Sequence, residues 1–448
     1  MQTAILAIFN SSSNVNSEAV AMSQGLAYKL DLIEKQKISL QCGRSRYPAV
    51  IYLDRYLTGD NIKINPSLMR KNGITNHLAC TVINDNNILR VGPYIGVAAN
   101  LHYSDPQKPF GIQSFFIKQL IEQARARGAI CFGFSPKDLN LSTNQIHGYT
   151  YRDNDWKEEL YPLPDVIYPR CNAESNRPLL RQKLTKLGVH FFNPVGMGKW
   201  GTHNALIKNP KLAKFLPDTC LINNFSQLEQ MLRKYRQIYL KPVSGSQGRN
   251  IIRISHGERH GTYEYQYQLE QRQINAQAAS LRELENKLRN HMGGRRYLAQ
   301  QQIDLLRSGG CIMDLRVMAQ KDRAGEWLVT GKVFRIGPNG SITSNISRGG
   351  RVGDIGVILS QQFDTVTAQA IMEKTDFLSL EAARTLEETL GPIGEMGIDI
   401  GIDRNGKIWL IEVNLKPARK IFSLMEDYDT RIHSVQRPIE YSIHLAGF

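Results

Sequence analysis

The chain has 448 residues, 42% hydrophobic and 22% charged, with a formal net charge of +15. This length favours several domains over one core, and the composition excludes a disordered, fibrous or low-complexity chain. The basic excess suits an anionic partner. Its residues are scattered in short groups such as RARG, KLAK and RKYR, without aromatic interleaving, so nucleic acid ranks last among such partners.

From Leu26 to about Ile95, short apolar runs (AYKLDLI, KISLQC, AVIYLD, ACTVIN) alternate with Gly, Asn and Asp clusters, which predicts a β-rich domain over residues 1–92. Past Gly92 the pattern becomes α/β over 93–193. IGVAAN reads as a strand, and FGIQSFFIKQLIEQARARG sets Ile112, Phe116, Leu120 and Ala124 on one helical face. AICFGFS and PLPDVIYPRC follow as strands, then a helix in RPLLRQKLTKLG and a strand in VHFFNP. A third domain is expected over 194–448. It opens with a helix in THNALIKN, then strands QIYLKPV and NIIRIS around a glycine-bearing loop. The polar stretch after Tyr263 has strong helix formers and no Gly or Pro, so one exposed helix is expected over 265–291. Strands YLAQQQI, MDLRVMAQ, EWLVTGKVFRI, EMGIDIGID and KIWLIEVN follow, with a helix in DTVTAQAIMEKTDFLSLEAARTLEETLG.

Cys42, Cys80, Cys131, Cys171, Cys220 and Cys311 lie far apart with no C-x-x-C pair, which suits a reducing compartment and neither zinc nor a disulfide framework. The opening MQTAILAIFNSSS lacks a basic leader, and no eighteen apolar residues run together, so a cytoplasmic location without a membrane span is expected.

The chemistry concentrates near the end. GEMGIDIGID and KIWLIEVN flank Asp403-Arg404-Asn405-Gly406, in which Asn-Gly favours a tight hairpin. A period of two puts Glu412 and Asn414 on one side of their strand, with Asp399 on the neighbour between Gly397 and Gly401. Mg²⁺ takes oxygen ligands, usually one or two carboxylates plus phosphates, so this trio suits a metal–nucleotide site. An amphipathic hairpin with charges facing water would show the same spacing. Glu412, however, interrupts an apolar strand where an unpaired carboxylate is costly.

Upstream, Lys241-Pro242 leads into Ser244-Gly245-Ser246-Gln247-Gly248, a loop whose amides could cradle phosphates or simply turn a hairpin; it is not a Walker loop. Arg316, Arg335 and Asn345, with Gly349-Gly350, are suited to charge on a phosphoryl group, or to an ordinary polar surface. His256 and His260 have the i, i+4 spacing of a metal helix but sit in a turn-like SHGERHG, and Trp200 reads as core packing.

The order Lys199, Lys241, glycine loop, D-x-R-V strand, R…N…G-G segment, Asp399, Glu412-Val413-Asn414 resembles the ATP-grasp superfamily, which includes glutathione synthetase, D-alanine–D-alanine ligase and RimK-type ligases. TSNISRGG, IDIGID and IEVN carry the likeness, and with LPDVIYPRC the layout resembles the YheC/YheD group of endospore-coat-associated proteins. The resemblance implies an α/β fold with α+β lobes: an ATP-grasp domain at 194–448, a pre-ATP-grasp domain at 93–193 and a β-rich domain before it. It implies ATP held by Lys199, Lys241 and loop 244–248, with adenine against backbone groups of Gln301, Gln302 and Ile303. Arg335 would face the γ-phosphate, Arg316 and Asn345 would assist, and Asp399, Glu412 and Asn414 would hold Mg²⁺, with Mn²⁺ as an alternative. The implied activity is a carboxylate–amine ligase working through an acyl phosphate, associated with sporulation or the spore coat. Its unknown carboxylate and amine substrates could include an acidic peptide or a coat or wall component. The alternative is a non-catalytic, ATP-binding coat assembly component. Where RimK-type sequences have Q-E at the adenine strand, this chain has Gln300-Gln301.

Overall fold

In the strand Ile5–Ser11, Ala7 and Phe9 are buried while Leu6 and Ile8 face out, the period of two that a sheet with one wet face requires. Seven strands between Ile5 and Gly92 close into a barrel, in which Ile5–Ser11 pairs parallel with Asn61–Ile64 and antiparallel with Leu78–Asp85. The computed structural model describes residues 4–102, 105–171, 178–194, 196–245, 250–269, 272–342, 344, 349–419, 421–424 and 427–448.

The parallel strands Tyr94–Ala98, Ile130–Phe134 and Val166–Pro169 are buried along their whole length, as strands covered on both faces are. The helix Ser114–Arg125 packs through Ile117, Leu120, Ile121 and Ala124. Ile112, expected on that face, is fully exposed in the 3-10 turn Gly111–Gln113; the tighter winding there breaks the four-residue spacing. The chain divides into two compact units: Met1–Val195 with Lys321–Glu326 and Val435–Phe448, and Gly196–Gln320 with Trp327–Ser434. Within the first, Val435, Ile439, Tyr441 and Ile443 of the last helix join the core of Ile95, Val97 and Leu120.

The second unit holds two six-stranded sheets. One runs in the order Thr219–Ile222, Tyr297–Gln301, Gln237–Pro242, Ile252–His256, Tyr263–Leu269, Arg272–Ala278, antiparallel throughout. The helices Phe225–Lys234 and Leu281–Met292 close its apolar face through Leu228, Leu232, Leu284 and Leu288. The single helix expected over 265–291 is therefore corrected to a β-hairpin followed by a shorter helix. Tyr263, Tyr265 and Tyr267 alternate with polar residues, and burying that alternating face outweighs the helix propensity of the Gln and Leu residues. The helix begins only where Ser280 caps it by accepting from the Glu283 N–H, and Gly293, left-handed at φ 56°, ends it.

The other sheet sets Arg351–Gly353, Trp327–Ile336, Cys311–Lys321, Glu395–Ile402 and Ile408–Asn414 side by side, with the short strand Arg307–Ser308 beside Cys311–Lys321. The helix Thr365–Leu390 covers it with Ala368, Ile371, Leu378, Ala382 and Leu386. The turn after Ile402 is held by Asp403, whose Oδ1 accepts from the Asn405 and Lys407 N–H groups at 3.0 Å each.

Candidate functional site

Across three neighbouring strands, Arg316 stands opposite Asp399 and Asp399 opposite Glu412, while Asn414 faces Gly397. Opposite residues share a face, so one cation, two carboxylates and an amide form a compact array. The carboxylates are not bare. Arg316 Nε donates to Asp399 Oδ1 at 2.6 Å, and Arg335 lies 2.9 Å from Asp399 Oδ2. Arg335 also donates through Nε to Asp314 Oδ1 at 2.7 Å and through its terminal nitrogen to Asp314 Oδ2.

These four charges are buried, each exposing under a tenth of its surface. Moving such ions out of water costs several kcal/mol apiece unless partners replace the solvent, and here each ion has at least one. Burial opposes the Asp399 charge, but Arg316 and Arg335 outweigh it and hold the carboxyl below its usual range. Burial likewise opposes the Arg335 charge and is outweighed by Asp314 and Asp399, so the guanidinium is held firmly protonated. Gly397 makes room: a Cβ there would lie 3.0 Å from Arg316 Nη1 and 3.0 Å from Pro417 Cβ.

Glu412 interrupts its strand as expected, but it is half-buried and paired: Lys199 Nζ donates to its Oε1 at 2.6 Å. Lys199 comes from the helix Gly198–Leu206. Lys241 lies on the other sheet and donates to Gln300 Oε1 at 2.5 Å. Desolvation drops the Lys241 ammonium to about 8 despite the opposing pull of Glu412, with Lys199 adding to the fall and Asp399 and Asp314 resisting it. Lys199, Lys241, Arg316 and Arg335 thus outnumber Asp314, Asp399 and Glu412 by one charge, a surplus suited to an anionic ligand.

On the strand Tyr297–Gln301 and just past it, the Gln301 N–H donates to the Asp218 carbonyl at 2.8 Å and the Gln302 N–H to the Gln237 carbonyl at 3.2 Å. The Ile303 carbonyl accepts from the Leu305 N–H at 3.0 Å. Their side chains are also engaged: Gln301 Oε1 accepts from the Asp218 N–H and Gln302 Oε1 from Arg253 Nε. Ser244 and Gly245 are exposed, Gly245 at φ 133°. Ser246, Gln247, Gly248 and Asn345 lie outside the described residues.

Asp314 pairs with Arg335 and Gln300 with Lys241, and the sequence reading gave neither a role in the site. Asp314 had a signal, since Asp314 and Arg316 two apart on one strand share a face. Gln300 had none. Elsewhere, His256 ends a strand with its ring against the Leu232 carbonyl at 2.8 Å, and Trp200 is half-buried, stacked on His203 rather than in a core. Among the described residues, no three His, Cys, Asp or Glu side chains cluster as a self-sufficient metal cage, and no helix is long and apolar enough to cross a membrane.

A family model described as YheC/D like ATP-grasp matches residues 188–445, more than half of the chain. The chain belongs to the YheC/D-like ATP-grasp family. Its mixed α/β architecture is accordingly the ATP-grasp fold, as the ordered motifs led one to expect. Among similar proteins, the endospore coat-associated protein YheD of Bacillus subtilis (strain 168) is 29% identical over 375 residues, 82% of this chain and 81% of that one. The endospore coat-associated protein YheC of the same organism is 25% identical over 313 residues, 67% of this chain and 84% of that one. Among solved structures, D-alanyl-alanine synthetase A from Vibrio cholerae O1 biovar eltor str. N16961 is 13% identical with a TM-score of 0.43, covering 80% of this chain and 98% of that one.

Proposed function

We propose that this YheC/D-like ATP-grasp protein binds MgATP in the second unit and uses it to join a carboxylate to an amine. The observation that carries the reading is the buried Arg316–Asp399–Arg335–Asp314 cluster beside the Lys199–Glu412 pair. In this reading Lys199, Lys241 and the loop 244–248 bind the phosphates, Gln301, Gln302 and Ile303 border the adenine, and Arg335 faces the γ-phosphate with Arg316 and Asn345 assisting.

Magnesium fits the donors: Asp399 and Glu412 supply hard carboxylate oxygens directly opposite each other, and Asn414 an amide oxygen one pair further on. Manganese would accept the same set. When bound, the ion would neutralise charge on the β- and γ-phosphates. Lys199 would then trade Glu412 for phosphate, and Arg316 would keep Asp399 oriented.

The substrate carboxylate oxygen attacks the γ-phosphorus, the bond from γ-phosphorus to the β-bridging oxygen breaks, and ADP leaves with that electron pair. The amine then attacks the acyl carbon, phosphate departs, and the nitrogen loses its proton. Catalysis is positioning and electrostatics, without a covalent protein nucleophile.

Domain boundaries near residues 92 and 193 belong to the same proposal, as do a cytoplasmic site of action, association with the spore coat and an acidic acceptor. The association of the Bacillus subtilis relatives YheD and YheC with the endospore coat favours a second reading, an ATP-binding coat component without turnover. Calorimetric titration of ATP with and without Mg²⁺, on the parent chain, Lys241→Ala and Glu412→Gln, tests the site. Metal-dependent binding weakened in both variants supports it; no binding to the parent sinks it. ATP consumption stimulated by a carboxylate plus an amine separates the two readings.

A further inference from the structure

On the sheet that carries Asp399, a second polar group shares the site's face. Arg316 stands opposite Asp399, Met318 opposite Gly397 and Gln320 opposite Glu395, and alternate residues of a strand point the same way. Glu395 therefore lies on the Asp399 face, two pairs along. Its side chain has no exposed surface, so its charge needs a partner.

That partner comes from beyond the last strand. Arg419 donates through a terminal nitrogen to Glu395 Oε2 and through Nε to the Ser434 carbonyl at 2.9 Å. Gln320 Nε2 donates to the same two oxygens, at 3.1 Å and 2.9 Å, while Gln320 Oε1 accepts from Thr330 Oγ1 at 2.8 Å. The Ser434 carbonyl is open to both because its own helix, Tyr428–Ala446, has a proline four residues on, Pro438, with no N–H to give.

The segment anchored in this way starts at Asn414. Pro417 sits in the hollow over Gly397, where its Cβ and Arg316 Nη1 each lie 3.0 Å from the place a Gly397 Cβ would take. Ile421 and Phe422, further on, pack with Met318 and Val333. The guanidinium that grips Asp399 is thus backed by a proline two residues before Arg419.

We propose that Arg419 is a positioning residue for the Arg316–Asp399 pair, and through it for the metal end of the site. By clamping Glu395 and the Ser434 carbonyl it seats Pro417, which keeps Arg316 on Asp399 and fixes the course of the chain after Asn414. The metal half of this inference rests on the MgATP reading above.

The test uses the full chain. Arg419→Met/Glu395→Gln removes both charges, so neither is left buried alone, and Arg419→Lys keeps the charge without the two-pronged grip. Ile371→Val, a core truncation in the same unit, controls for lost stability alone. In the paired variant the Mg²⁺ concentration for half-maximal ATP binding should rise at least about tenfold, with ATP binding in EDTA unchanged. Arg419→Lys should show a smaller rise and Ile371→Val none. A second readout needs no ligand: the Arg316 Nε–H resonance, assigned by its loss in Arg316→Lys, should move in the paired variant. If that variant does not fold, Arg419→Lys carries both readouts. An unmoved resonance, an unchanged metal requirement in a parent that binds MgATP, or the same changes in Ile371→Val overturns the proposal. A parent that binds no MgATP while the resonance moves overturns the nucleotide reading and supports the positioning of Arg316.

Discussion

Lys199 Nζ rests 2.6 Å from Glu412 Oε1, although 213 residues separate the two in sequence. In the absence of a ligand each neutralises the other, and in the proposed complex each takes a new partner, phosphate for the lysine and metal for the carboxylate.

Glu412→Gln keeps the shape and removes the charge. The pair is partly exposed, so stability should change by no more than about 1 kcal/mol. MgATP affinity should fall by about 1.5–3 kcal/mol, roughly ten- to a hundredfold, while metal-free ATP in EDTA binds no worse than to the parent. Paired calorimetric titrations check both halves, and equal losses with and without Mg²⁺ would remove Glu412 from the metal site.

The buried cluster behaves differently. Asp314→Ala leaves the Arg335 guanidinium with Asp399 alone, and breaking a buried pair in this way should cost about 3–5 kcal/mol. The urea transition that reports the second unit should move to lower denaturant at constant slope. Asp399 adds an acid limb to the same profile. Its folded carboxyl titrates below the unfolded one, so its stabilising contribution is complete above the ordinary carboxylate range and is lost as pH falls through the folded value. Urea midpoints collected between pH 7 and pH 3 on the parent and Asp399→Asn check it, and equal acid slopes in the two would remove the pairing.

Lys241 sets the alkaline side. Its folded ammonium titrates near 8, below the unfolded lysine, so from about pH 8 upward the unfolded chain holds the extra proton. The cost of this half-buried, desolvated charge is fully present below 8 and is relieved as pH rises towards the ordinary lysine range. Binding runs the other way: if phosphate needs the ammonium, MgATP affinity should weaken about tenfold per unit above pH 8. Proton uptake should accompany binding there, visible as a heat that varies with the buffer. Lys241→Arg should flatten the pH profile.

Gly397→Ala tests the crowding beside Asp399. The added methyl would meet Arg316 and Pro417, both at 3.0 Å. We expect a loss of about 1–3 kcal/mol in the urea midpoint, with weaker MgATP binding if Arg316 is pushed off Asp399. Gly401→Ala, which would drive a methyl to 2.5 Å from Leu305 Cδ2, should cost stability without touching that guanidinium.

The Asp399–Glu412 hairpin was legible in its turn residues and two-residue period, except for the one-residue register shift between Asp399 and Ile400 that sets Asp399 opposite Glu412 rather than Ile411. The hairpin 263–278 was not. Its Gln, Glu, Leu and Ala residues are good helix formers, and that local preference masked the alternation of Tyr263, Tyr265 and Tyr267 with Glu264, Gln266 and Gln268. Only a partner face, here Leu284 and Leu288, makes the alternation decisive. The residue types of the site were readable, but their pairing was not. That Arg335 grips Asp314 as well as Asp399, or that Lys241 leans on Gln300, depends on strand order, which no local pattern in the chain encodes.

The residues assigned to the first unit come from both extremes of the chain, Met1–Val195 and Val435–Phe448. During synthesis the stretch carrying the whole proposed nucleotide site leaves the ribosome before the first unit has all its parts, so Ile95, Val97 and Leu120 wait for Val435 and Ile439 until translation is nearly over. A nascent chain stalled before residue 435 would hold every candidate site residue and still lack part of the core laid down at its start.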